Sequence, residues 1–308
     1  MKYTIAALAL LATTPVFAQD RMSALDCEQS WAGVLGSTGL PMGQLQVDVD
    51  PSGWCVIQDG TANFYNGTRV RIDSLMWRAS EVDRFIEDGL PPRSIEIVGD
   101  GIGVLPQTGD AVYDYLFSLQ TEESNLGFGL TVRWDGVQNA LMVDESYVVF
   151  DDTNRIDITA RIDGVDLTDS ATIQTSLGTM GLRNLSVKTT FDGWFEQYVA
   201  LPVGAGLLTD TTAPEDQVAA LQQQAIDFST SLPTDILPTV AQDALAGFIT
   251  ELPRPRGTLQ LQLNADPIIN AARALPMVSA SDSVDAAQRF AEFMDGVRLL
   301  ITWSPTRE

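Results

Sequence analysis

The chain's clearest pattern is strict alternation of apolar and polar positions. Leu126, Phe128, Leu130, Val132 and Trp134 alternate with Gly127, Gly129, Thr131 and Arg133. Ile156, Ile158, Ala160 and Ile162 alternate with Arg155, Asp157, Thr159, Arg161 and Asp163. Leu185, Val187, Thr189 and Phe191 form a third run, and Leu45, Val47 and Val49 a shorter one. Successive side chains of a strand point to opposite faces, so these runs predict strands with one apolar and one wet face, the habit of antiparallel sheets. Turn residues separate them. Asn66-Gly67 lies between apolar stretches at 62–65 and 69–77, and Asp135-Gly136 precedes further strands at 140–143 and 147–150; both dipeptides favour tight turns. Ile95, Ile97, Ile102 and Val104 read as a strand bent by glycines.

Helical spacing is confined to fewer places. Ser80 opens a short helix that Gly89 and Pro91-Pro92 end, and Asp110 caps a second with Val112, Tyr115, Leu116 and Leu119 on one stripe. After Pro202 the period changes. Thr212-Ala213-Pro214-Glu215 reads as a capping box, followed by the stripe Val218, Leu221, Ala225 and Phe228. A second helix over about 238–252 carries Ala241, Ala244, Leu245, Phe248 and Leu252 on one side. Leu259, Leu261 and Leu263 return to strand, Asp266-Pro267 starts a short helix, 284–294 a longer one, and 299–303 a closing strand. The expected fold is α+β: a curved, mainly antiparallel sheet with a block of helices packed against it. It forms one mature domain over 19–308, β-rich over 43–200 and helix-rich over 205–297, with strands returning near 257–265 and 298–303.

Residues 1–18 read as a cleaved secretory signal: Lys2, an apolar stretch from Ile5 to Ala12, a break at Thr13-Thr14-Pro15, and Val16-Phe17-Ala18 before Gln19. The apolar stretch is far shorter than the roughly 20 residues of a bilayer span, and no later stretch reaches that length. A periplasmic or secreted protein with no transmembrane segment in its mature chain is expected. Cys27 and Cys55 are the two cysteines. In an oxidising compartment they are expected to pair as a structural disulfide, and they lack the CxxC spacing of a redox pair.

Charge narrows the partners. With 41 acidic against 18 basic side chains the net charge is −23, and removing Lys2 with the signal takes it to −24. Such a field repels nucleic acid and gives no attraction to anionic lipid. The absence of histidine removes the Ser-His-Asp triad and every His-ligated zinc site. Lys188 is the only lysine past the signal, and it lies in an alternating strand with nothing to mark it as a nucleophile. The strongest cation candidate is calcium on Asp48, Asp50, Ser52 and Asp59, which occupy positions 1, 3, 5 and 12 with Gly53 at 6. A tight turn at Pro51-Ser52-Gly53 explains the same residues. The acidic pairs Asp144-Glu145, Asp151-Asp152, Glu122-Glu123 and Glu215-Asp216 are the material for a carboxylate hydrolase, and equally for solvated loops.

Aromatic residues point elsewhere. Trp77, Trp134, Phe150, Phe191, Trp194, Phe195 and Trp303 lie in or just beyond strands, and 191–195 falls where a strand passes into a helix or turn. Trp134, Phe191, Trp194 and Phe195 are the candidate ligand-binding residues, with 191–195 as the rim of an apolar groove that the helices cover incompletely. The strands at 126–134, 155–165 and 182–191, with Gly257-Thr258-Leu259-Gln260-Leu261-Gln262-Leu263, resemble the strand phrasing of AsmA-like and related envelope proteins of Gram-negative bacteria. That resemblance implies a long β-sheet groove presented to lipid acyl chains in the periplasm. The expected function is therefore non-enzymatic binding of an apolar or amphipathic ligand, lipid included. The alternative is a structural or interaction module of the envelope.

Overall fold

The computed structural model describes residues 21–38, 45–63, 68–105, 108–122, 126–208, 213–273, 290 and 292–306. Ten strands form one open sheet in chain order: β1 (Asp48–Val49), β2 (Cys55–Asn63), β3 (Arg69–Ser80), β4 (Ser94–Leu105), β5 (Leu126–Asp135), β6 (Ala140–Val149), β7 (Arg155–Asp163), β8 (Gly181–Asp192), β9 (Arg256–Asn270) and β10 (Val297–Pro305). Every neighbouring pair is antiparallel. The expected α+β architecture is what the chain adopts. The sheet curves, with register shifts in β4, β5, β6, β7 and β8 of the kind that bend a strand and raise its twist. Asn63 pairs with Arg69 across the first hairpin, whose Asn66-Gly67 signal lies outside the described residues.

Helices fill the connections: α1 (Ala24–Thr38), α2 (Asp83–Asp88), α3 (Ala111–Glu122), α4 (Ser170–Thr179), α5 (Leu201–Leu207), α6 (Pro214–Ser231) and α7 (Thr239–Glu251), with a wide π-helical turn at Phe195–Ala200. Because the sheet is a meander, its connections alternate between two ends. One end carries α2 and α4; the other carries α3, the π-turn and α5 to α7. The helical run thus begins at Phe195, ten residues before the expected 205. α1, α4 and α5 were not expected, although the first two have a local cap. At α1 the Asp26 N–H donates to Ser23 Oγ and the Ser23 N–H to Asp26 Oδ2; at α4, Asp169 and Thr172 exchange the same pair of bonds. The expected capping box at α6 is not its N-terminus: Ala213 is the cap and has no side-chain bond, while Thr212 lies outside the described residues. Asp266-Pro267 does not start a helix either. β9 runs through it to Asn270, since Ile269 and Asn270 still pair with Leu182 and Gly181 beyond a bulge. Most of the helix expected at 284–294 lies outside the described residues.

Two cores flank the sheet. At the first edge, Met22, Cys27, Cys55, Ile57, Trp77 and Ala79 are buried together under α1. Cys27 and Cys55 form a disulfide across 28 residues, worth about 3.5 kcal/mol by loop-closure entropy. Trp31 packs on Trp77 with ring centroids 5.6 Å apart, and Trp77 Nε1 donates to the buried Ser30 hydroxyl. At the other edge α7 lies on β10, and Leu232, Leu237, Ala241 and Ile301 form a second core. Ile236, Ala265, Met294 and Val297 continue it.

Candidate functional site: the apolar sheet face and its aromatic end

Residues paired across a sheet share a face, so the register defines the site. One row runs Phe128, Val148, Ile156, Thr189, Leu259, Trp303 from β5 to β10. The next runs Leu130, Ser146, Ile158, Val187, Leu261, Ile301, and a third Val132, Val143, Ala160, Leu185, Leu263, Leu299. All three rows lie on the same face and are apolar but for Ser146 and Thr189. The bulges keep this pattern in phase by absorbing one residue where alternation would otherwise flip a side chain outward.

The opposite face is mainly polar, with Met142, Val149 and Leu300 among its exceptions. Asp157, Lys188, Gln260 and Thr302 form one of its rows. Arg155 pairs with Asp157 at 2.6 Å, Asp163 with Arg161 at 2.6 Å and with Arg183 at 2.8 Å, and Arg133 with Asp144 at 3.1 Å. Burial would raise the pKa of Asp163, but hydrogen bonds from Arg183 and Arg161 outweigh it and hold the carboxyl below its usual range.

What distinguishes the apolar face is its cover. α1 packs against β1 and α2, α3 against β4, and α7 against β10; none of the described helices packs extensively on β5, β6, β7 or β8. Leu130, Val132, Val143, Val148, Ile156, Ile158, Leu185 and Val187 are accordingly only half-buried, and none joins either edge core. Among the described residues the edges of the sheet are roofed and its centre is not, which leaves an apolar trough across four strands.

The trough ends in a wall of aromatic rings. Phe191 closes β8; Trp194 stacks between Phe191 (5.2 Å between centroids) and Phe150 (5.0 Å), and its Nε1 donates to the Thr190 carbonyl. Phe195 meets Phe191 edge-on at 6.1 Å, and Phe248 of α7 sits 5.3 Å from Phe191 and 5.2 Å from Trp303. The β6–β7 turn is pinned to this wall by Asn154, which is buried: its amide donates to the Asp192 carbonyl and accepts from the Asp192 N–H. Thr189 lies beside the wall on the apolar face, 7% exposed, and its Oγ1 has no hydrogen-bond partner. A buried hydroxyl left unpaired costs about 1–3 kcal/mol, and a ligand oxygen or a water would relieve it.

Phe191, Trp194 and Phe195 are thus brought together, and Trp134 is not. Trp134 lies in the row of Leu182, nine residues along β8 from Phe191, so about 30 Å away at the opposite end of the sheet. There its Nε1 donates to the Val165 carbonyl while Arg84 and Arg93 approach its ring. Phe248 and Tyr198, the latter 5.2 Å from Phe150, join the wall without having been singled out for it; spacing placed Phe248 on the packing stripe of its helix, and nothing marked Tyr198.

The remaining candidates have local employment. Asp50 accepts from the Ser52 and Trp54 N–H groups and from the Ser52 hydroxyl, which builds the turn at Pro51-Ser52-Gly53, and these bonds hold its pKa down. Asp59 lies within β2 at φ 52°, and no cluster of three or more Asp, Glu, His or Cys is gathered among the described residues. Of the acidic pairs, Asp144 and Glu145 face Arg133 and Arg155, Asp151 caps its turn, and Glu215 and Asp216 open α6; Glu123 lies outside the described residues. Among the described residues, each carboxyl with a clear pKa shift is shifted down: Asp50, Asp114, Asp151, Asp163, Asp169 and Glu196. A general acid needs the opposite direction.

No family model matches the chain. No curated protein shows significant similarity to it either.

Proposed function

We propose that the protein is exported and binds an apolar or amphipathic ligand, a lipid in the first instance, on the bare face of β5 to β8, without catalysing a reaction. The observation that carries this reading is the row structure: three apolar rows cross the central strands with no described helix roofing them. An exposed apolar area of this extent is costly in water and marks an interaction surface. The aromatic wall supplies a closed end. The signal-like 1–18, the disulfide and the resemblance to AsmA-like proteins favour a periplasmic or secreted setting. Val187 lies at the centre of the face, half-buried. Val187→Glu is expected to leave the fold intact and to abolish retention of co-purified lipid, read by solvent extraction and lipid mass spectrometry. Unchanged lipid content in that variant would overturn the reading.

One observation favours the runner-up, an interaction module of the envelope. α3 exposes Val112, Tyr113, Tyr115 and Leu116, each more than half accessible. An exposed apolar stripe of this kind suits a partner-binding helix.

A further inference from the structure

On the far side of the aromatic wall, with which it shares Phe195, the π-turn, α5, α6 and α7 line a pocket of about 680 Å³. This lies inside the roughly 300–1,000 Å³ range of ligand sites. Its walls are hydrocarbon: Phe195, Val203, Leu207, Leu221, Phe228 and Leu252 are representative. Of its two polar side chains, Gln222 has its amide N–H groups turned onto the carbonyls of Ile249 and Leu252, at 3.0 and 2.8 Å. Val203, Leu207 and Phe228 remain 43–53% exposed although they line it, so the helices leave apolar surface inside the pocket unfilled. The feature is built into α5. Gly204 faces the pocket, and a Cβ there would meet only Leu208 Cδ1, at 3.8 Å.

The rim supplies charge. Pro253 lines the pocket and Arg254 follows it, exposed and forming no ion pair among the described residues, while lying near enough to Glu196 to act on it electrostatically. Glu196 itself is engaged by Arg256 at 2.6 Å. Arg254 is thus the exposed cation next to a lining residue, and in a chain of net charge −23 it would favour an anionic head group on an apolar tail.

We propose that this pocket holds the hydrocarbon chain of a single-chain carboxylate amphiphile of the fatty-acid type, with its carboxylate at Arg254. The site does not depend on the sheet reading. The test is palmitate titrated into the full-length mature protein, read by native mass spectrometry and calorimetry, with a series of shorter and longer fatty acids beside it. One palmitate per chain is expected. Affinity should rise about fourfold per methylene, as hydrocarbon burial predicts, and then level off once the pocket is full. Gly204→Phe and Ala225→Trp fill the pocket from two walls and should each weaken palmitate at least tenfold with an unchanged melting temperature. Arg254→Glu should weaken palmitate about tenfold and leave hexadecanol binding as it was. Absence of palmitate binding, affinity that climbs without levelling, or wild-type affinity in both filled variants would overturn the proposal. Val187→Glu separates the two sites. If it abolishes palmitate binding while Gly204→Phe does not, the chain lies on the sheet and the pocket proposal fails. The reverse pattern supports the pocket and counts against the sheet.

Discussion

Strands β2 and β3 at one edge and strands β5 to β8 in the middle carry the same alternation, yet they reach different ends. Ile57 and Trp77 are 1% and 7% exposed beneath α1, tied down by the disulfide and the Trp77–Ser30 hydrogen bond. Ile158 and Val187, in the row that contains Trp77's counterparts further along the sheet, are half-buried and belong to no core. Alternation states that a face is apolar. Whether that face becomes core or surface depends on what the connections bring over it, and in this meander the described helices pack mainly at the edges. The edges therefore carry the buried cores, and the central face is the one we propose for ligand binding.

That contrast can be broken by substitution. Trp77→Ala should be the most damaging, about 3–5 kcal/mol, because it opens a large cavity and leaves the Ser30 hydroxyl without its donor; urea unfolding followed by circular dichroism reads it directly. Ile158→Ala at the centre should cost only about 1 kcal/mol, since a half-buried side chain loses less contact with its surroundings. An equal cost at the two positions would mean that the centre is roofed after all.

The polar face sharpens the comparison through pH. Asp163 has its folded pKa depressed, so its contribution is fully present above the unfolded value near 3.8 and is lost as pH falls through the lower folded value. Asp163→Asn should therefore lower the urea midpoint at pH 7 and show a smaller further loss on acidification below about pH 4 than the wild type does. A parallel acid slope in the two proteins would place the carboxylate's partners elsewhere.

Much of this architecture is legible in the sequence because period-two alternation is long and regular in β5, β7 and β8, and because Gly89 and Asp110 sit where helix ends need them. α1 and α4 escaped because their apolar stripes are weak; the Ser23–Asp26 and Asp169–Thr172 caps are their only strong local marks. Asp266-Pro267 misled for a related reason, since the local signal for a helix start is overruled by pairing with β8. Of the candidate site, 191–195 was readable because its aromatics are adjacent in the chain. That Trp134 faces the far end of the sheet, and that Phe248 comes from a helix to complete the wall, depends on register and packing across some hundred residues. The bare centre was unreadable in principle, because alternation is identical for a covered and an uncovered face.

The most direct test of the central claim is native mass spectrometry of the mature protein purified from a periplasmic extract, with organic extraction of the same sample. The account predicts a stoichiometric apolar or amphipathic ligand that is released on unfolding, on a chain two hydrogens lighter than its reduced mass through the Cys27–Cys55 bridge. A bare polypeptide mass with no extractable lipid, under conditions that preserve weak complexes, would contradict it.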